Sequence, residues 1–122
     1  MKRRILIVDD EIDTTLSFKK GLEASGFEVD TYNDPLIALS NFKAGSYDLV
    51  ILDVKMPKMN GFELYNQLES IDDKVKVCFI TAYEVYYQAL REIFPMSSVD
   101  CFIRKPIEID NLVKYINKEL HL

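Results

Sequence analysis

The chain has 122 residues, enough for one domain with a sizeable core. Its 20 acidic and 15 basic side chains give a net charge of -5. That argues against a general nucleic-acid surface, which needs clustered Lys and Arg. The basic start, Lys2-Arg3-Arg4, leads into only four apolar residues, 5–8. That is too short for a signal peptide, and no run approaches the ~18 residues of a membrane helix, so a cytoplasmic protein is expected.

Taken in chain order, the elements alternate. "RILIV" (4–8) is a short β-branched run, followed by a mixed polar and apolar helical segment, 11–25, closed by Gly26 as a helix cap. "FEVDTY" (27–32) alternates as a strand does. Asp34-Pro35 reads as an N-cap with proline in the first helical position, opening a helix to about Ala44. "LVIL" (49–52) is the third strand, and Asn60-Gly61-Phe62-Glu63 resembles a capping box that opens a helix to about Ser70. "VKVCFI" (75–80) is the fourth strand. A helix is predicted over 84–94 from the spacing of Tyr86, Ala89, Leu90 and Ile93. "VDCFI" (99–103) is the fifth strand. In the last helix, Ile109, Leu112, Val113, Ile116 and Leu120 share one face. Five strands alternating with five helices imply a doubly wound α/β fold, a parallel sheet with helices on both faces. The continuous apolar runs fit, because parallel strands are buried on both sides.

Cys78 and Cys101 lie far apart in apolar stretches and are read as two buried reduced thiols rather than a disulfide. His121, the only histidine, is read as an exposed tail residue, which nearly excludes Ser-His-Asp and Cys-His catalysis.

The residues just past the strands carry the chemistry. The first strand ends in Asp9-Asp10, followed by Glu11; the third ends in Asp53, the fourth in Thr81 and the fifth in Arg104-Lys105-Pro106. Carboxyl ends of parallel strands meet in one crevice near the point where strand order reverses. Two or three carboxylates that close together repel unless a cation or proton intervenes. A hard divalent ion such as Mg²⁺ suits them, and it keeps sites for waters and phosphate oxygens. A lysine and a hydroxyl beside it suggest a phosphoryl group. No Walker-type glycine loop is present to cradle a nucleotide. The nucleophile is then a carboxylate, giving an aspartyl phosphate.

"ILIVDDE", "DLVILDVKMPKMNGFEL", "ITAY" and "CFIRKPIE" resemble the receiver domain of two-component response regulators, in the right order over essentially the whole chain. The resemblance implies a flavodoxin-like (βα)5 three-layer sandwich with strand order 2-1-3-4-5. It implies Asp53 as phosphoacceptor, with Asp9, Asp10, Asp53 and the backbone carbonyl of Lys55 holding Mg²⁺, and Asp10 the stronger direct ligand of the acidic pair. Thr81 and Lys105 would each meet a phosphoryl oxygen, Phe102 would turn inward with Thr81 as the switch aromatic, and the Lys105–Pro106 bond would be cis. Lys55 and Tyr83 would border the path of the hydrolysing water, with Tyr83 shielding the acyl phosphate.

The implied partners are a sensor histidine kinase or a histidine phosphotransfer protein, and an effector of unknown kind. Direct nucleic-acid binding and membrane association are not expected. The face formed by the fourth helix, fifth strand and fifth helix would carry the output, or a homodimer contact. Residues 1–122 would be a single receiver domain with no effector, acting as a stoichiometric acceptor rather than an enzyme, with slow self-dephosphorylation. The stretch 83–94 is aromatic, with Tyr83, Tyr86, Tyr87 and Phe94. "FPMSSVDCF" departs from the family's usual Gly-Ala lead-in to the fifth strand, and Pro95 is expected to end the helix early.

Each residue has a plainer reading. Asp9, Asp10 and Glu11 could simply favour a helix N-terminus. Thr81 could cap a strand end, and Phe102 could be core. As a whole, the chain could be a non-phosphorylated receiver serving as an interaction module, though such domains lose one or more of Asp10, Asp53, Thr81 and Lys105. A phosphatase of the haloacid dehalogenase type needs two aspartates separated by one residue after the first strand, whereas Asp9 and Asp10 are adjacent.

Overall fold

A computed structural model describes residues 2–82 and 101–122. The strands are β1 (Arg4–Val8), β2 (Glu28–Tyr32), β3 (Leu49–Asp53), β4 (Val77–Thr81) and β5 (Cys101–Arg104). Among the described residues the helices are α1 (Ile12–Ala24), α2 (Pro35–Asn41), α3 (Gly61–Ile71) and α4 (Ile109–Leu120). All strand pairs are parallel, in the order β2-β1-β3-β4-β5. The expected doubly wound sheet and its strand order are therefore observed. The helix expected over 84–94, Tyr83, the other aromatic residues of that stretch and Pro95 lie outside the described residues.

Alternation along each strand divides the core into two layers. Leu6, Val50, Leu52, Phe79 and Phe102 face the cluster that holds Ala38, Leu64 and Leu68 of α2 and α3. Ile5, Ile7, Ile51, Cys78 and Ile80 face the cluster that holds Phe18 and Leu22 of α1 and Leu112 and Ile116 of α4. Central strands buried on both faces explain the unbroken apolar runs in β1 and β3.

Local chemistry sets the helix ends. Asp34 Oδ1 accepts from the Leu36 amide, with Pro35 at the first position of α2. At the start of α3, Asn60 Oδ1 accepts from Glu63 N at 2.9 Å and Glu63 Oε1 accepts from Asn60 N at 3.0 Å, a closed capping box. Gly26 has φ +97° just past α1, and the bonds Gly26 N to Glu23 O and Phe27 N to Leu22 O complete a Schellman motif. His121 is exposed and takes the left-handed position that ends α4.

Three sequence expectations are corrected. α2 ends at Asn41 rather than near Ala44, because Phe42 turns extended and enters the core, where it stacks on Tyr47 at 6.1 Å. β4 begins at Val77 rather than 75 and includes Thr81, in the register that pairs Val50 with Val77. Cys78 and Cys101 are joined by a disulfide rather than being free thiols. They are register partners on adjacent strands, a proximity that sequence distance hides.

Candidate functional site

The chain leaves β1 towards β2 on one side and returns to β3 on the other, so strand order reverses between β1 and β3. A crevice opens there at the carboxyl ends. Asp9 follows Val8 at the end of β1, and Asp53 is the last residue of β3. Asp9, Asp10 and Asp53 each present a carboxylate oxygen, and these three atoms lie within 4.8 Å of one another. Asp9 and Asp53 are buried, while Asp10 is exposed at the rim.

Thr81 ends β4 and is buried, one residue past Ile80, the register partner of Asp53. Its carbonyl accepts from Lys105 N at 2.9 Å, which ties the start of the β5–α4 loop to β4. Lys105 Nζ stands 2.7 Å from Asp9 Oδ2, 3.1 Å from Glu11 Oε1 and 3.8 Å from Asp53 Oδ1. The Lys105–Pro106 bond is cis. Lys55 is exposed and lines the same cleft of about 570 Å³ with Asp10, Asp53 and Lys105. A larger hollow of about 680 Å³, between β5 and α4, includes none of these carboxylates and is lined by Phe102, Arg104, Asn111 and Tyr115.

Phe102 is not at the cleft surface. It lies inward in the α2/α3 layer, its ring 5.9 Å from that of Phe79 and nearly parallel to it. The structure therefore gathers Asp9, Asp10, Asp53, Lys55, Thr81 and Lys105 at one end of the sheet and places Phe102 beneath them. Tyr83 lies outside the described residues.

Electrostatics follow from this crowding. Burial, then the charge of Asp9, pushes the Asp53 carboxyl up to about 7, although Lys105 opposes the shift. Asp9 is also raised, chiefly by burial, against the pull of Lys105 and the Glu11 amide. Burial works against the Lys105 ammonium, but Asp9, Asp53 and Glu11 outweigh it and hold its pKa above the ordinary lysine value. Among the described residues, Lys105 is the cation that pairs with Asp9, Glu11 and Asp53, and these acids outnumber it.

A divalent cation fits this set. Asp9 Oδ1 is held by the Glu11 amide at 2.9 Å, while Oδ2 is buried and, among the described residues, accepts no well-directed hydrogen bond. Lys105 meets Oδ2 as an ion pair, off the hydrogen-bond direction. A hard, all-oxygen donor set, one of its oxygens buried against an ammonium, suits Mg²⁺ better than a softer metal.

One supporting feature was not legible as a site residue. A Cβ added to Gly61 would lie 2.4 Å from the Asp53 carbonyl oxygen. Glycine therefore lets the β3–α3 loop pass against the backbone that carries Asp53, held by Gly61 N to Val54 O at 2.8 Å. The sequence signalled this residue only as part of a helix cap. Glu11, read in the sequence with the acidic run past the first strand, holds Lys105 over the cleft. Lys58, at φ 71° in the same loop, reaches Asp34 at 2.6 Å and, as hydrogen-bond donor, holds that carboxyl below the usual range.

The fold and the crevice together define a doubly wound α/β protein with a carboxylate and lysine cluster at its switch point. The chain belongs to the response regulator receiver domain family, whose profile matches residues 5–117, and proteins of this family work in two-component systems. It is 39% identical over 79 residues to the transcriptional regulatory protein PrrA of Mycobacterium leprae, covering 65% of this chain and 34% of that one. Over 111 residues it is 31% identical to the transcriptional regulatory protein PcoR of Escherichia coli, covering 91% of this chain and 48% of the other. The chain thus spans between a third and a half of these relatives. Among solved structures it is similar to the response regulator TrrA of Thermotoga maritima in complex with Mg²⁺–BeF. The TM-score is 0.82 and the identity 34%, with 97% and 99% of the two chains covered. A CheY-like receiver domain from Methanospirillum hungatei gives a TM-score of 0.83 at 27% identity, covering 99% and 95%. Among the described residues no helix is long and apolar enough to cross a membrane.

Proposed function

We propose that the chain is a phosphoryl-activated switch in which Asp53 accepts a phosphoryl group from a histidine kinase or phosphotransfer protein. The observation that carries this reading is the convergence of Asp9, Asp10, Asp53, Thr81 and Lys105 at the carboxyl ends of four strands. A core residue or a helix cap does not require that convergence. Asp9, Asp10, Asp53 and the Lys55 carbonyl would hold Mg²⁺. When bound, the ion neutralises charge on the phosphoryl oxygens and on the acidic cluster.

The chain's own groups do the remaining work. The Asp53 carboxylate attacks phosphorus in line, the bond from phosphorus to the donor imidazole nitrogen breaks, and an acyl phosphate forms. Asp53 must be ionised to attack, so a nearby cation that lowers its raised pKa also activates it. Lys105, now held by Asp9 and Glu11, is placed to pair with a phosphoryl oxygen. The Thr81 hydroxyl would bond another. Drawing Lys105 and Thr81 towards the new charge alters the end of the β4–β5 pair, and Phe102 with it, which biases a two-state element. The readout would fall on β5, α4 and the segment between β4 and β5, by docking to an effector or to a second copy. An intracellular site of action follows from this reading, as do slow self-dephosphorylation and a role for residues 1–122 as one receiver unit.

A protein donor must cover the rim of the cleft, and α1, which starts next to Glu11, exposes Ile12 and Leu16, at 60% and 59%. The alternative is a receiver that only docks and is never phosphorylated. Intact mass after incubation with Mg²⁺ and a small phosphoramidate separates the two. Gain of one phosphoryl group, lost on chelation of Mg²⁺, is expected. No gain by a folded chain would favour the docking module.

A further inference from the structure

The disulfide lies outside the cleft chemistry yet is joined to it through two strands. Cys78 of β4 and Cys101 of β5 form the first of the four register pairs between these strands. Both belong to the apolar layer that contains Leu112 and Ile116 of α4. One residue further on, across the sheet, Phe79 stacks on Phe102. Thr81 lies three residues beyond Cys78, and Lys105 four beyond Cys101. The covalent link therefore sits at the base of the two strands whose ends carry the hydroxyl and the ammonium of the cleft. It also ties together both ends of the 78–101 connection.

β5 is the edge of the sheet and is paired only with β4 among the described strands. An edge strand opens at lower cost than a central one, so a bond pinning it has more to restrain than the same bond between β1 and β3 would. As thiols, the same two side chains are small apolar groups that a core layer accommodates. Neither covalent state therefore excludes the fold, which is the condition for a switch rather than a permanent staple. In chains that work in reducing compartments, disulfides are mostly transient, catalytic or redox-sensing.

We propose that Cys78 and Cys101 are a redox-sensitive clamp: the disulfide fixes β5 to β4 and restrains Phe102 and Lys105, and reduction releases them. The oxidant is a small-molecule disulfide. One cysteine thiolate attacks a reagent sulfur and expels one reagent thiolate, leaving a mixed disulfide. The second cysteine thiolate attacks the cysteine sulfur of that mixed disulfide and expels the other reagent thiolate. The pair loses two electrons and two protons, and the reagent ends as two thiols. The reducing compartment and the consequence for signalling rest on the phosphoryl-switch reading, whereas the restraint of β5 by the bond does not.

The test uses the whole chain, free of metal and phosphoryl group. It is equilibrated with oxidised glutathione or with dithiothreitol. Thiols are alkylated after unfolding and counted by intact mass, and amide exchange is followed over 102–107. The expected result is reversible interconversion between zero and two thiols, with exchange about tenfold faster in the reduced form. Cys78→Ala and Cys101→Ala, made separately so that one folded variant suffices, should exchange like the reduced chain in either buffer. Two free thiols under all oxidising conditions would overturn the proposal. So would equal exchange in both forms, which would make the bond a structural staple. Phosphoryl uptake from an acyl phosphate, measured on both forms, should be slower in the oxidised one. Uptake by neither form would count against Asp53 as acceptor, while the exchange comparison would still decide the clamp.

Discussion

Gly61→Ala separates the tertiary role of this glycine from its place in a helix cap. Helix propensity alone would have the change stabilise α3 by up to about 1 kcal/mol. The structure gives the opposite sign. The new Cβ would meet the Asp53 carbonyl oxygen at 2.4 Å, and the Asp53 carbonyl carbon and Val54 Cα at 3.1 Å each. Ordinary carbon–oxygen contacts lie near about 3.3 Å, so something must move by about 1 Å. The neighbour is backbone, not a flexible side-chain tip. The loop cannot swing away without losing the Gly61 N to Val54 O bond. Overpacking of this kind costs about 1–3 kcal/mol, and the strained bond up to about 1 kcal/mol more. The residue displaced is Asp53 itself, and an error of about 1 Å at a reacting group costs up to about 100-fold in rate. Urea unfolding should show a lower midpoint with an unchanged slope. Phosphoryl uptake from an acyl phosphate should slow by one to two orders of magnitude, by the same positioning argument. A Gly61→Ala chain as stable and as reactive as the parent would refute the reasoning.

Other outcomes follow from the same geometry. In metal-free buffer the folded chain keeps the Asp53 proton to about 7, while an unfolded aspartate releases it near about 3.9. Because the folded pKa is the higher one, stability falls as pH rises through that window, by on the order of 4 kcal/mol between the two values. Urea midpoints measured against pH in a chelator should show this slope, and Asp53→Asn should flatten most of it, with Asp9 supplying the remainder; equal slopes in both chains would contradict the burial argument. Lys105→Ala removes the cation beside buried Asp9 and should cost about 3 kcal/mol near neutral pH, less when Mg²⁺ is added, as read by thermal unfolding with and without the ion. Asn60→Ala opens the capping box and should cost about 1 kcal/mol in the same assay while leaving the phosphoryl chemistry intact.

Much of this architecture was legible in the sequence because each signal has a local cause. "LVIL" reads as a buried parallel strand because a central strand of such a sheet needs apolar groups on both faces. Asn60 and Glu63, Asp34 and Pro35, and Gly26 mark helix ends through bonds made within a few residues. Alternation of elements then places Asp9, Asp53, Thr81 and Lys105 at the same end of the sheet. What escaped depends on partners far away in the chain. Phe42 ends α2 early because the core takes its ring, and helix periodicity carries no record of that. The apolar setting of Cys78 and Cys101 shows that both are buried, but their pairing needs the β4–β5 register. Gly61 looks like part of a cap until the backbone of Asp53 is placed beside it.

The central claim is that Asp53 takes the phosphoryl group. Borohydride reduces an acyl phosphate on aspartate to homoserine and leaves free carboxylates alone. The most direct measurement is therefore peptide mass mapping after Mg²⁺, a phosphoryl donor and borohydride. Homoserine at position 53 alone, absent when Mg²⁺ is withheld, is the expected result. Homoserine at Asp9 or Asp10 instead, or at no position in a folded chain, would contradict the account.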